Sequence, residues 1–199
     1  MTVFLFMCDH WLWFVAYSIA GWVYETILFR FVEGKWLRRG FLYGPFCPIY
    51  GTGAVAFWLT LQWVPHVMRA AIPNLFWSVV LEVLILFFTG GLMACTLEWF
   101  TSLALEHLFH TRWWDYFKNK GNIKGRVAPI GFIAFGCFAA GLVEVLQPGV
   151  VFVTDAIPDV IIMILAIASG AWLLLDFLLT IRKNVRKRKA EKAAKSLDS

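Results

Sequence analysis

Five long apolar runs constrain this chain more than anything else in it. They are Trp11–Val32, Gly44–Val64, Leu75–Leu97, Val127–Gln147 and Val160–Ile181. A helix needs roughly 20 residues to cross a bilayer, and each run is about that long. Backbone groups in hydrocarbon must be satisfied internally, which leaves helices or a closed barrel. Barrel strands alternate with period two, and these runs do not. The chain is 60% hydrophobic and 16% charged, against about 25% charged in an ordinary soluble domain. One buried core cannot absorb that surplus, so lipid must. The expectation is an all-α polytopic bundle of five transmembrane helices, forming one domain over 1–181, with a basic tail over 182–199.

Met1 to His10 contains no Lys or Arg, unlike the start of a secretory signal peptide, and reads as a lead into the first helix. Cys8, Cys47, Cys95 and Cys137 are scattered without paired spacing. They read as small packing residues, and neither a metal site nor a cofactor is expected from them.

Charge sets the orientation. Of the 18 Lys and Arg residues, all but Arg69 fall in the connections after the first and third spans or in the tail. Basic loops stay in the cytoplasm, so the N-terminus is expected outside and the C-terminus inside. Trp11, Trp13, Trp63 and Trp77 would then lie at the outer interface, and Trp36, Trp99, Trp113 and Trp114 at the inner one. The net charge of +5 reflects this asymmetry and is no sign of a nucleic-acid partner.

The first and third spans carry similar signals. Glu25, Glu33 and Trp36 recur in spacing as Glu98, Glu106 and Phe109. Each set leads to a basic–Gly pair, Arg39-Gly40 or Lys124-Gly125, and then to Pro48-Ile49 or Pro129-Ile130. Both units run in and back, so a duplication here would be a parallel one. Chance likeness between two hairpins is the competing explanation.

Charged groups within hydrocarbon each need a reason. Glu25, Glu98 and Asp176 fall in the cytoplasmic half, Glu82 in the outer half, and Glu144 close to the outer surface. The first three can pair with Arg30, Arg38, Arg39, Arg112 and Arg126 as a structural network, or can form a site for a cationic or proton-coupled ligand. Glu82 has no basic neighbour along the chain, which marks it as a buried functional acid.

The stretch from Arg38 to Gly53 is the least regular. Gly40, Gly44, Pro45, Pro48, Gly51 and Gly53 prevent an ordinary helix through Pro48. Either the backbone breaks or re-enters here, or the glycines only allow close helix packing. At the cytoplasmic interface Glu106, His107, His110, Arg112, Trp114, Asp115 and Arg126 cluster in sequence. His107 and His110 share a helical face and could hold a metal, although a helix end at the interface explains them as well. No Walker phosphate loop, dinucleotide glycine pattern or Ser-His-Asp order is present.

Longer motifs carry a resemblance. Ser18-x-x-Gly21-Trp22-x-x-Glu25 precedes Arg39-Gly40-Phe41-Leu42-Tyr43-Gly44-Pro45-x-x-Pro48-Ile49-Tyr50-Gly51. Leu97-Glu98-Trp99, Leu105-Glu106, Arg112-x-Trp114-Asp115-Tyr116 and Asn122-x-x-Gly125-Arg126 follow. Together they resemble the bacterial CmpB-like family of type IV ABC-transporter permeases, from the first helix to Pro148. The family pattern has Asn where Arg38 stands, which alters one loop contact. The resemblance implies a permease-like transport component in a bacterial cell membrane, with any ATP use supplied by a separate ATPase subunit. Five helices are few for a complete permease, so a homo-oligomer or larger complex is expected. A membrane enzyme or lipid-handling protein acting through the interfacial acids and histidines is the alternative. A non-catalytic assembly or regulatory subunit is the third.

Overall fold

The computed structural model describes residues 2–34, 36, 40–110 and 112–197, and their side chains except those of 32–33 and 187–197. Arg38 and Arg39 lie outside the described residues. Helix α1 (Val3–Glu33) starts where the Leu5 amide donates to Thr2 Oγ1 at 3.3 Å. It stops on Gly34, whose φ of 70° suits a residue without Cβ. Two shorter helices follow, α2 (Pro48–Leu61) and α3 (Val64–Ala71). Asn74 then caps α4 (Leu75–Phe109) by accepting from the Trp77 amide. Helix α5 (Pro129–Gly141), a π-helical turn (Leu142–Leu146) and α6 (Gln147–Asp155) run on from one another. Helix α7 (Asp159–Leu197) closes the fold and carries the chain past Ile181 without a break.

The protein is an all-helical, multi-pass membrane bundle. Val3–Phe31, Leu75–Phe109, Pro129–Asp155 and Asp159–Arg186 are each long and apolar enough to cross a membrane. Only 17–33% of each span's most apolar window is buried. The remaining Phe, Leu, Ile and Val side chains face outward, which is stable in lipid and unstable in water. A central core joins Trp13 and Tyr17 of α1, Ala54 and Phe57 of α2, Leu86 of α4, and Ala139, Leu142 and Val143. Small residues let the backbones approach: a Cβ on Gly90 would collide with Ala139, and one on Gly51 with the Phe14 carbonyl.

The expected count of five spans is one too many by length. The segment expected over 44–64 holds a helix of only 14 residues, about 21 Å long. The reason lies ahead of it. Residues 40–47 enter the bundle as irregular chain until the Cys47 amide donates to the Ser18 carbonyl at 2.9 Å. Ser18 lies near the middle of α1, so α2 starts part-way down and needs few residues to finish the crossing. The chain then turns at Gln62 and Trp63 into α3, and Arg69 of α3 reaches Glu82 near the start of α4. Residues 48–71 thus climb the bundle in two pieces.

The fourth span also differs from expectation. It continues through Pro148 to Asp155, where a stop at Gln147 was expected. Proline lacks the amide that an α-helix would use at that position. The preceding π turn absorbs the mismatch, with the Gln147 amide bonding to the Leu142 carbonyl.

The two hairpins, α1–α2 and α4–α5, share further features. Each returns through a helix with proline in its first turn. Gly40 and Gly125, from the two basic–Gly pairs, both have positive φ, at 86° and 67°.

Candidate functional site

The loops of both hairpins meet at one end of the bundle, called here the basic end. In the first loop, α7 holds the irregular segment. The Tyr43 and Gly44 amides donate to the two Asp176 carboxylate oxygens at 2.8 and 2.6 Å, and Thr180 Oγ1 donates to Oδ1 at 3.3 Å. Asp176 is buried, so backbone amides rather than an arginine satisfy it. A Cβ on Gly44 would press on both Asp176 and Phe46, which is why this position is glycine. Phe41 packs among Phe109, Trp113 and Phe177 and ties the same loop to α4 and α7.

Each hairpin contributes a glutamate held by a tyrosine. Tyr50 Oη, in the first turn of α2, donates to Glu25 Oε1 at 3.2 Å. Cys47 Sγ stands 4.0 Å from Glu25 Oε2. In the second hairpin, Tyr116 Oη donates to Glu98 Oε1 at 3.1 Å. Glu98 is only 6% exposed, and its Oε2 has no hydrogen-bond partner among the described residues. Gly131 of α5 faces both that oxygen and Tyr116 Oη, leaving space where a larger residue would stand. Glu25 lies close enough to Glu98 and Tyr116 to act on both electrostatically. Burial, and then the Glu98 carboxylate, push the Tyr116 phenol well above its usual range, so it stays a proton donor.

Below this pair, Arg126 is buried and bridges α4. Its guanidinium donates to Ser102 Oγ at 2.8 Å and pairs with Glu106 at 2.5 Å, while Arg112 reaches Glu106 at 3.3 Å. The Arg126 carbonyl accepts from Trp114 Nε1, which closes the loop on itself. His107 and His110 are exposed, and His110 ends α4 in a left-handed turn. Asp115 accepts from the Phe117 amide within its own loop. Glu98, Glu106 and Asp115 thus make separate contacts while His107 and His110 stand exposed, and no metal-ligand cluster occurs among the described residues.

At the opposite end, Arg69 of α3 donates to both oxygens of the fully buried Glu82, at 3.1 and 2.7 Å, and to Glu144 of the π turn at 2.8 Å. In the core between the two ends, Tyr17 Oη donates to Gln147 Oε1 at 2.8 Å.

The profile of the family described as "Putative ABC-transporter type IV" matches residues 12–181. The chain belongs to that family. Neither a curated protein nor a solved structure matches it.

In this CmpB-family chain, the arginine partners expected for Glu98 and Asp176 are replaced, among the described residues, by other donors. Glu98 takes a tyrosine and Asp176 takes two amides, while Arg112 and Arg126 go to Glu106. Arg30 caps its own helix end by donating to the Gly34 carbonyl. Glu82, expected to lack a basic neighbour, has Arg69, delivered by the short helix α3. Tyr50 and Tyr116 are the polar residues that the sequence did not single out as partners of the acids. A tyrosine two positions after Pro48 was visible, but nothing local said which acid it would meet. Of the segment 40–53, Gly40, Gly44, Pro45 and Pro48 shape the irregular entry, and Gly51 packs on α1. Gly53 is buried, with Leu97 of α4 as its near neighbour.

Proposed function

We propose that this chain is the membrane-embedded, permease-like part of a transport complex, with a site for a cationic or proton-coupled ligand between its two hairpins. One observation carries the reading: Glu98 Oε2 is a buried acceptor without a partner among the described residues, and it sits beside a second acid, Glu25. Leaving such an oxygen unsatisfied in a low-dielectric site is costly, and a bound cation or N–H donor would relieve it. Tyr50 and Tyr116 orient the two acids, and the Asp176 clasp on residues 43–44 is the natural gate. The route continues through Tyr17 and Gln147 toward Glu82.

The distribution of Lys and Arg supports an N-outside, C-inside orientation in a bacterial cell membrane. Irregular backbone at membrane depth, sheltered by protein, supports transport over a purely structural role. ATP hydrolysis belongs to a separate subunit, because the sequence has no phosphate-binding loop. The small number of spans supports a homo-oligomer or a larger complex.

Native mass spectrometry of the full chain, extracted with its own lipids, tests the site. A bound amine- or metal-type cation should appear on the wild type and be lost from Glu98→Gln. Equal cation load on both proteins contradicts the reading. Cysteines placed at Lys120 should label only after permeabilisation, and labelling in intact cells contradicts the orientation.

A further inference from the structure

The far end of the bundle, toward which the proposed route runs, holds a second arrangement whose own chemistry the transport reading leaves unassigned. Glu82 and Glu144 share one donor, Arg69 Nη2, at 2.7 and 2.8 Å. Their carboxyl groups also stand within hydrogen-bonding reach of each other. Two carboxylates cannot hydrogen-bond to one another unless a proton lies between them. Arg69 supplies a single positive charge for two acids, so a site with both ionised would carry an unbalanced charge where Glu82 is fully buried. With one proton present, the charges of Arg69 and the pair cancel.

We infer that Glu82 and Glu144 form a proton-binding pair at the far end of the bundle, holding one shared proton beside Arg69 and releasing it to water. The exit is open there, since the Arg69 side chain is 49% exposed and that of Glu144 is 22% exposed. Release leaves a second negative charge, which needs hydrogen-bond donors. Ser78 precedes Glu82 by one helical turn, and Gln147 follows Glu144 by one turn. Both are almost fully buried, and Ser78 Oγ and Gln147 Nε2 have no partner among the described residues. They are spare donors of the kind that a site with two charge states requires. The remaining Glu144 oxygen, Oε1, is likewise unpartnered.

The π turn makes this possible. It follows Gly141 and ends just before Pro148, and its altered register places Glu144 within reach of Arg69 and Glu82. The other groups facing the pair are His66 and Arg69 from α3, and Tyr17 of α1 through Gln147. Asp9, Asp155 and Asp159 form a separate acidic group at the same end, linked to His10. The inference does not depend on what the Glu25–Glu98 site binds.

Infrared spectroscopy of the reconstituted full chain, titrated from about pH 4 to about pH 9 across the range of shifted carboxyls, tests the pair. A Glu98→Gln background removes the buried, tyrosine-held carboxyl of the other site. The expected result is one protonated-carboxyl C=O band per chain that disappears as pH rises and is missing from Glu144→Gln. Arg69→Gln provides the second arm, because losing the guanidinium that both carboxylates share should move the midpoint of that band to higher pH. Absence of any titrating carboxyl band overturns the inference. So does a band that Glu144→Gln leaves intact, or a midpoint that Arg69→Gln leaves unchanged.

Discussion

The two hairpins begin from similar sequence signals and end in different structures. In the first, the loop enters the bundle and is held by the Ser18 carbonyl of its own α1 and, from outside the hairpin, by Asp176 on α7. In the second, the loop folds against its own helix, through Arg126 on Ser102 and Glu106 and through an Asx turn at Asp115. The difference shows what a basic–Gly pair followed by Pro-Ile determines. It sets a left-handed turn and a helix start. It does not set how deep the chain runs between them, because that depends on whether another helix offers an acceptor at depth. Helix α7 does so for the first hairpin, and with the Ser18 carbonyl, where the irregular chain ends and α2 begins, it accounts for the shortness of α2.

The largest test of this contrast is Asp176→Ala. It strands two part-buried amides; full burial would cost about 1–3 kcal/mol for each, and partial access to solvent lowers the expected sum to about 2–4 kcal/mol. Melting in detergent measures the loss. Thiol labelling mapped by mass spectrometry should show that buried Cys47 has become reactive. Arg126→Met makes the matching change in the second hairpin. It should lower the melting temperature while leaving Cys47 protected, because the damage stays within residues 99–126. Cys47 reactivity in both variants would show that the two loops are one unit.

Tyrosine replacements come next. Tyr116→Phe removes the one hydrogen bond that the nearly buried Glu98 accepts among the described residues, and should cost about 1–3 kcal/mol. Tyr50→Phe should cost less, about 1 kcal/mol, because Glu25 is only half-buried and keeps Cys47 close by. Equal losses would mean that the two acids sit in equivalent surroundings. A smaller effect follows from the raised Tyr116 phenol. Its neutral form is favoured by folding, so its contribution is complete below the ordinary tyrosine range near pH 10. It fades as pH rises through the higher folded value. Ultraviolet titration should show late phenolate absorbance that Tyr116→Phe lowers by one tyrosine.

Much of the fold could be read from run lengths and punctuation. The apolar stretches of α1, α4 and α7, Asn74 ahead of Leu75, and proline at the start of α2 and α5 are local signals with local consequences. Three features were not readable. The depth of residues 40–47 depends on Asp176, more than a hundred positions away. The passage of α5–α6 through Pro148 depends on a π turn, which no residue pattern announces. Arg69 finds Glu82 and Glu144 only because α3 folds back over the top of α4. The candidate site divides in the same way: its acids stood out as charges in apolar runs, while their tyrosine partners became visible only in three dimensions.

The central claim is that the two hairpins present Glu25 and Glu98 to one shared site. A double-mutant cycle on Glu25→Gln and Glu98→Gln, read by thermal melting of the reconstituted chain, tests it without knowledge of the ligand. Two acids in one site should be coupled, giving an interaction energy of about 0.5–3 kcal/mol, with the double variant more stable or less stable than the sum of the singles predicts. Additivity within about 0.3–0.5 kcal/mol, the behaviour of distant and independent positions, would contradict the claim.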